Sequence, residues 1–194
     1  MGYEVVLVSS GAIAVGRNKL NMTSKPDSMR MKQAAAAVGQ CSLMYLYDKF
    51  FGDYDKTVAQ ILLNAEDIEQ EEKKENLINT FNALLEMGVI PIVNENDSVS
   101  YKEIESEDRL FGDNDMLSAV VAVLCRARHL VILSDIDGFY DHDPRLYPNA
   151  KLIEQIDTID DSVYALAGGA GSRRGTGGMR TKLQAAALAT SQGT

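Results

Sequence analysis

The 194-residue sequence predicts an α/β fold in three layers, a mostly parallel central sheet with helices covering both faces. Two observations carry this. Short apolar runs rich in β-branched residues, the composition of strands buried on both faces, alternate with longer stretches of helical periodicity. The runs also end in polar clusters, as strands do where a parallel sheet opens onto a ligand crevice. The first run is Val5–Val8, closed by Ser9-Ser10-Gly11. Thr57–Leu63, Val89–Val93 and Leu130–Leu133 follow, with a weaker strand expected at Lys151–Ile156. Between them, Gln33–Tyr47 is rich in alanine and methionine and reads as helix, with Gly39 the point at which it would break. A helix beginning at Ala65-Glu66-Asp67 places Leu77, Ile78, Phe81, Leu84 and Leu85 on one face. Its acidic first turns suit the helix dipole, Glu69 and Lys73 form an i,i+4 pair, and Gly88 marks its end. Leu117, Val120, Val121, Leu124 and Cys125 repeat the spacing, as do Met179, Leu183, Ala186, Ala187 and Thr190. Strands alternating with helices imply right-handed crossovers and hence the parallel sheet. Segments 21–27, 98–109 and 141–149 read as surface loops, and without repeats or low-complexity stretches residues 1–194 read as one domain.

Composition narrows the function. Apolar residues make up 45% and charged residues 24%, ordinary values that exclude a disordered chain or a disulfide scaffold. With 19 basic and 28 acidic side chains the net charge is −9, which repels a phosphate backbone, and no basic patch offsets it. The longest apolar stretch, Ala119–Cys125, is far short of the roughly 20 residues a membrane span needs. No signal-peptide pattern opens the chain, so a cytoplasmic protein is expected. Cys41 and Cys125 lack CxxC or Cys/His companions and are expected in the core. His129 and His142 stand in no triad or ligand spacing, and no protein metal site is assigned.

Chemistry concentrates at the expected strand ends: Ser9-Ser10-Gly11-Ala12, Asn94-Glu95-Asn96-Asp97 and Ser134-Asp135. Singly, each could be a helix cap or turn. Three at equivalent positions of one sheet point to a polar pocket. Gly112-Asp113-Asn114-Asp115 opens the helix of Leu117–Leu124 and exceeds what an N-cap requires. It suits a ligand ammonium, a metal-bound nucleotide or the positioning of other catalytic groups, and sequence alone does not choose. Gly175-Thr176-Gly177-Gly178-Met179-Arg180-Thr181-Lys182 runs straight into an amphipathic helix. Glycines admit a phosphate close to the backbone, and the helix start offers free N–H groups. The spacing is neither a Walker A loop nor GxGxxG. These residues alone describe an α/β enzyme for a phosphorylated ligand.

The ordered motifs SSGAIAVG at Ser9–Gly16, KQAAAAVGQ at Lys32–Gln40, PIVNEND at Pro91–Asp97, FGDND at Phe111–Asp115, Asp137-Gly138-Phe139-Tyr140 with Asp143-Pro144-Arg145, and Gly175–Lys182 resemble the glutamate 5-kinases of the amino acid kinase superfamily. The resemblance spans essentially the whole chain. It implies transfer of the ATP γ-phosphoryl group, with Mg2+, to the γ-carboxylate of L-glutamate, the first step of proline biosynthesis. Matched position by position, it implies that Ser10, Asp97 and Asn114 bind glutamate, with Gly11, Asn94 and Asp113 lining the same pocket. Ser134 and Asp135 match nucleotide-binding positions. Thr176, Gly177, Gly178, Met179, Arg180, Thr181 and Lys182 match the loop that holds the ATP phosphates. Lys182 would stabilise the transferring phosphoryl group and Asp115 would orient it. Proline inhibition and homo-oligomerisation are implied too. The family pattern further places a strand and a lysine-bearing glycine turn before Val5, and further strands and in many members an RNA-binding-like domain after Lys182, so the chain is expected to be a partial kinase domain. Two alternatives stand beside this reading: a relative acting on another small carboxylate, and a module that binds glutamate or nucleotide without transferring phosphate.

Overall fold

The computed structural model describes residues 2–99, 114–167 and 178–194, which fall into two compact units, 1–109 and 110–194. The first unit is built on three parallel strands, β1 (Leu7–Val8), β2 (Val58–Leu63) and β3 (Ile90–Glu95), in the order β1-β3-β2. Val8 lies opposite Val93, and Val58–Leu63 run in register with Ile90–Glu95. As the middle strand, β3 is buried on both faces through Pro91, Ile92, Val93 and Asn94.

β1 is shorter than the expected Val5–Val8, and Pro91 supplies the reason. Ser9 N donates to Val93 O at 2.8 Å. Two residues earlier along the same edge of β3 stands Pro91, which has no N–H to offer Val5. The ladder therefore stops, and Val5 is left half-exposed.

From β1 the chain enters α1 (Ala12–Lys19) through Gly11, whose φ of +89° favours glycine. Next comes α2 (Met29–Gly52), a continuous 24-residue helix that runs through Gly39 instead of breaking there. Gly39 is a contact point. A Cβ on it would overlap the Ala12 carbonyl oxygen, and one on Gly16 would overlap that of Ala35. The two helices cross backbone to backbone, with Ala12, Ala35 and Ala36 buried in the seam.

The helix expected after Ala65 is two: α3 (Ala65–Glu69) and α4 (Glu71–Glu86), parted at the extended residue Gln70. The break removes the Glu69–Lys73 pair, and Lys73 meets Asp67 instead at 3.5 Å. The predicted apolar face of α4 holds, with Phe81 fully buried, and Gly88 at φ +71° leads the chain out toward β3.

In the second unit, α5 (Asn114–Leu124) buries Leu117, Ala119, Val121, Ala122 and Leu124. A short antiparallel pair follows, β4 (Phe139–Tyr140) with β5 (Leu152–Ile153), then α6 (Asp161–Ala167) and α7 (Met179–Ser191). Asp160 Oδ1 accepts from the Ser162 hydroxyl and from the N–H groups of Val163 and Ser162 at the head of α6, bonds that lower the pKa of its carboxyl. α7 buries Leu183, Ala185 and Ala189, whereas Thr190, expected on its inner face, is exposed and bonds the Ala186 carbonyl. Alanine on every side of the helix gives almost no amphipathic signal, so periodicity could not orient it.

Leu130–Leu133 is not a strand. Leu130 and Ile132 pack against the cluster of Ala119, Ala185 and Ala189, while Val131 and Leu133 are 75% and 89% exposed. The alternation is that of an extended chain, but among the described residues no strand of its unit pairs with it. No helix among the described residues is long and apolar enough to cross a membrane.

Candidate functional site

Each unit presents one set of candidate groups. In the first, a cleft of about 460 Å³ opens beyond the carboxyl ends of β2 and β3. Ala12 at the head of α1, Gln40 and Cys41 on α2, and Glu95, Asn96 and Asp97 after β3 form part of its lining. The chain is polar here because it has just left a buried strand, and its loop must serve its own backbone. Ser98 Oγ donates to Asn96 Oδ1, 2.6 Å, and Val99 N to the Asn96 carbonyl, 3.1 Å.

Of the glutamate positions implied by the resemblance, Asp97 lines the cleft, while Ser10 and Gly11 are exposed at the start of α1 outside that lining. Asn94 lies beneath it, 2% exposed, and is engaged on both sides. Its Oδ1 accepts from Glu95 N at 3.0 Å and its Nδ2 donates to Gln40 Oε1 at 2.9 Å. Ser9 is also inside, its hydroxyl 2.8 Å from that of Tyr47. Gln40 and Glu95 belong to quoted motifs, but their type and spacing alone gave them no role.

Cys41, expected in the core, is exposed and lines the cleft, because one residue past Gln40 the helix has turned about 100° away from the β3 side. Cys125 is mostly buried, and burial pushes its thiol up to about 11. Thiolates, not thiols, are the reactive form. A thiol reagent such as Ellman's is therefore expected to titrate one cysteine, Cys41, in the native protein and two after unfolding. Two fast thiols in the native state would contradict the placement.

The second unit holds an ion pair. Lys182, on the first turn of α7, donates to both Asp115 oxygens at 3.0 and 2.9 Å, and Asp115 stands on the first turn of α5. The two side chains are 22% and 14% exposed, so the pair is largely shielded from water. The Thr181 hydroxyl lies 3.0 Å from Asp115 Oδ2 and 2.8 Å from the Gly178 carbonyl, tying the start of α7 to the same carboxylate. Gly178 caps α7 without a side-chain hydrogen bond. Met179 and Arg180 follow, the Arg180 guanidinium 5.7 Å above the Tyr164 ring.

Asn114 opens α5, and Asp113, Thr176 and Gly177 lie outside the described residues. Ser134 and Asp135 are exposed, and Asp135 Oδ2 accepts from Arg145 Nη2 at 2.9 Å. Asp143 turns its Oδ1 to Arg145 N, 2.9 Å, so the Asp143-Pro144-Arg145 turn sets the arginine that meets Asp135. Among the described residues no three His, Cys, Asp or Glu side chains gather into a metal site.

The first unit is thus a parallel α/β unit with a polar cleft beyond its strand ends, and the second carries a lysine–carboxylate pair at the starts of two helices. Residues 1–194 match the amino acid kinase family, and the chain belongs to it. The relatives it matches include glutamate 5-kinases. It is 58% identical to that of Clostridium perfringens over the whole chain and 71% of the relative, and 51% identical to that of Clostridium acetobutylicum over 99% of the chain and 70% of the relative. With the enzyme of Caldanaerobacter subterraneus it shares 50% identity over 99% of the chain, and spans 50% of that relative.

Proposed function

We propose that the chain carries the phosphoryl-transfer machinery of a glutamate 5-kinase, with L-glutamate as acceptor and ATP as donor. The observation that supports this most is identity of 58% with a glutamate 5-kinase along the whole chain. On this reading residues 1–194 are part of one kinase domain, and the protein acts in the cytoplasm.

The chemistry follows from the groups present. An oxygen of the γ-carboxylate attacks the γ-phosphorus in line, and the bond from phosphorus to the β,γ-bridging oxygen breaks. γ-Glutamyl phosphate and ADP result. The nucleophile is already ionised at neutral pH, so no general base is required. What remains is positioning and charge stabilisation. Lys182 supplies a cation against the charge on the transferring group, and Asp115 holds its ammonium in place. The start of α7, with Gly178, Met179, Arg180 and Thr181 and the preceding Thr176 and Gly177, receives the phosphates. Ser134 and Asp135 serve the rest of the nucleotide. Mg2+ carried by the nucleotide would neutralise part of the phosphate charge, as is usual in kinases. Asp97 accepts from the substrate ammonium, the resemblance supports Ser10, Gly11, Asp113 and Asn114 as further glutamate residues, and Asn94, engaged beneath the cleft, supports its lining. Proline as a feedback ligand and self-association belong to the same reading.

A substrate panel tests it. ADP formation is expected with L-glutamate and not with aspartate, N-acetylglutamate, carbamate or UMP, and preference for any of these would overturn the assignment. Asp97→Ala is expected to weaken glutamate binding about tenfold or more, the cost of losing a charged hydrogen bond, and to leave ATP binding unchanged. Calorimetric titration with each ligand reads both, and unchanged glutamate affinity would remove Asp97 from the site.

A further inference from the structure

We propose that Gln40 is a substrate-specificity residue: its amide N–H donates to the α-carboxylate of the bound amino acid, in an orientation imposed by Asn94. The inference rests on the proposed glutamate site and adds a residue to it.

The orientation comes from a backbone group that cannot be reversed. Glu95 N–H can only donate, so the Asn94 atom 3.0 Å from it must be the carbonyl oxygen. Asn94 Nδ2 then points the other way and can only donate, so the Gln40 atom 2.9 Å from it must be Oε1. Gln40 Nε2, with two hydrogens, is thereby turned away from Asn94. Among the described residues it has no hydrogen-bond partner, although Gln40 is 91% buried and lines the cleft. A buried amide donor without an acceptor is costly and uncommon in folded proteins. A ligand acceptor in the cleft would relieve that cost.

The chemistry of the cleft indicates which acceptor. Asp97 and Glu95 bring negative charge to the cleft lining, which favours an ammonium, and Gln40 brings a neutral donor beside them. Acceptors and a donor together suit a zwitterion, the α-ammonium and α-carboxylate of an amino acid. The γ-carboxylate is the poorer candidate, since it must attack phosphorus and a donor held on it would withdraw electron density from the nucleophile.

Gln40→Glu is the discriminating variant. It keeps the size of the side chain and an oxygen to accept from Asn94 Nδ2, so the packing beneath the cleft is retained. It replaces the donor with an acceptor that is negatively charged at neutral pH. Calorimetric titration of the intact chain with L-glutamate at pH 7.5 is expected to show affinity lowered at least tenfold for Q40E. For 4-aminobutyrate, which lacks the α-carboxylate, affinity should be unchanged or raised. Lowering the pH until the introduced carboxyl protonates should restore part of the glutamate affinity, a recovery that a packing role would not produce. Equal affinities of wild type and Q40E for glutamate would overturn the proposal and leave the kinase reading intact. A parallel loss for both ligands without pH recovery would also overturn it. A wild-type chain that binds neither glutamate nor 4-aminobutyrate would instead overturn the site itself, and the proposal with it.

Discussion

Replacing Gly39 by valine is expected to destabilise the first unit by about 3 kcal/mol, the upper part of the usual range for overpacking. The atom that a Cβ would meet is the Ala12 carbonyl oxygen, part of α1's backbone, so no side-chain rotation relieves the overlap. The helices must move apart, and Gly16 offers no slack because it makes the reciprocal approach to the Ala35 carbonyl. Gln40 is the next residue, so separation also draws its Oε1 away from Asn94. Urea unfolding should show a lower midpoint, with glutamate affinity falling in parallel. A change below about 0.5 kcal/mol, the size of an ordinary surface substitution, would show that the helix crossing is looser than the geometry states.

Lys182→Ala is expected to lower kcat about 10²- to 10³-fold, the range seen when one preorganised group that stabilises transition-state charge is removed. Glutamate affinity should change little, because Lys182 acts on the transferring phosphoryl group. The substitution also removes the Lys182 ammonium from Asp115 while leaving the Thr181 hydroxyl beside it, so a thermal melt should accompany the kinetics. Asp115→Asn keeps an acceptor for Lys182 and Thr181 but loses the charge that steadies the ammonium, and its loss of kcat should be smaller. Full turnover with weakened glutamate binding in Lys182→Ala would put the lysine in the substrate pocket instead.

The layout of the first unit was legible because its strands carry their own punctuation. β2 and β3 are apolar runs ended by Asn64 and by the Asn94–Asp97 cluster, and α4 shows a clean face around Phe81. What misled was non-local. Gly39 read as a helix breaker because a glycine that weakens an isolated helix and one that admits a neighbouring backbone look alike in sequence. The shortening of β1 depends on an N–H missing from Pro91, some 85 residues away along the chain. Leu130–Leu133 has the composition of a strand, but a strand exists only when another pairs with it.

The same division holds for the site. Asp97, Asp115 and Lys182 stood out as candidates because polar clusters at strand ends and a glycine-rich helix start draw attention to them, and their roles came from the resemblance. The Lys182–Asp115 contact itself bridges 67 positions and was implied only by the resemblance. Gln40 carried no signal, because a glutamine inside an alanine-rich helix is unremarkable until Asn94 is seen to fix its amide.

The most direct test of the central claim traps the product. The chain is incubated with ATP, Mg2+, L-glutamate and hydroxylamine, which converts an acyl phosphate to a hydroxamate. The account predicts γ-glutamyl hydroxamate that requires both glutamate and ATP and drops sharply in Lys182→Ala. Hydroxamate formed equally by Lys182→Ala, or none that depends on glutamate, would contradict it.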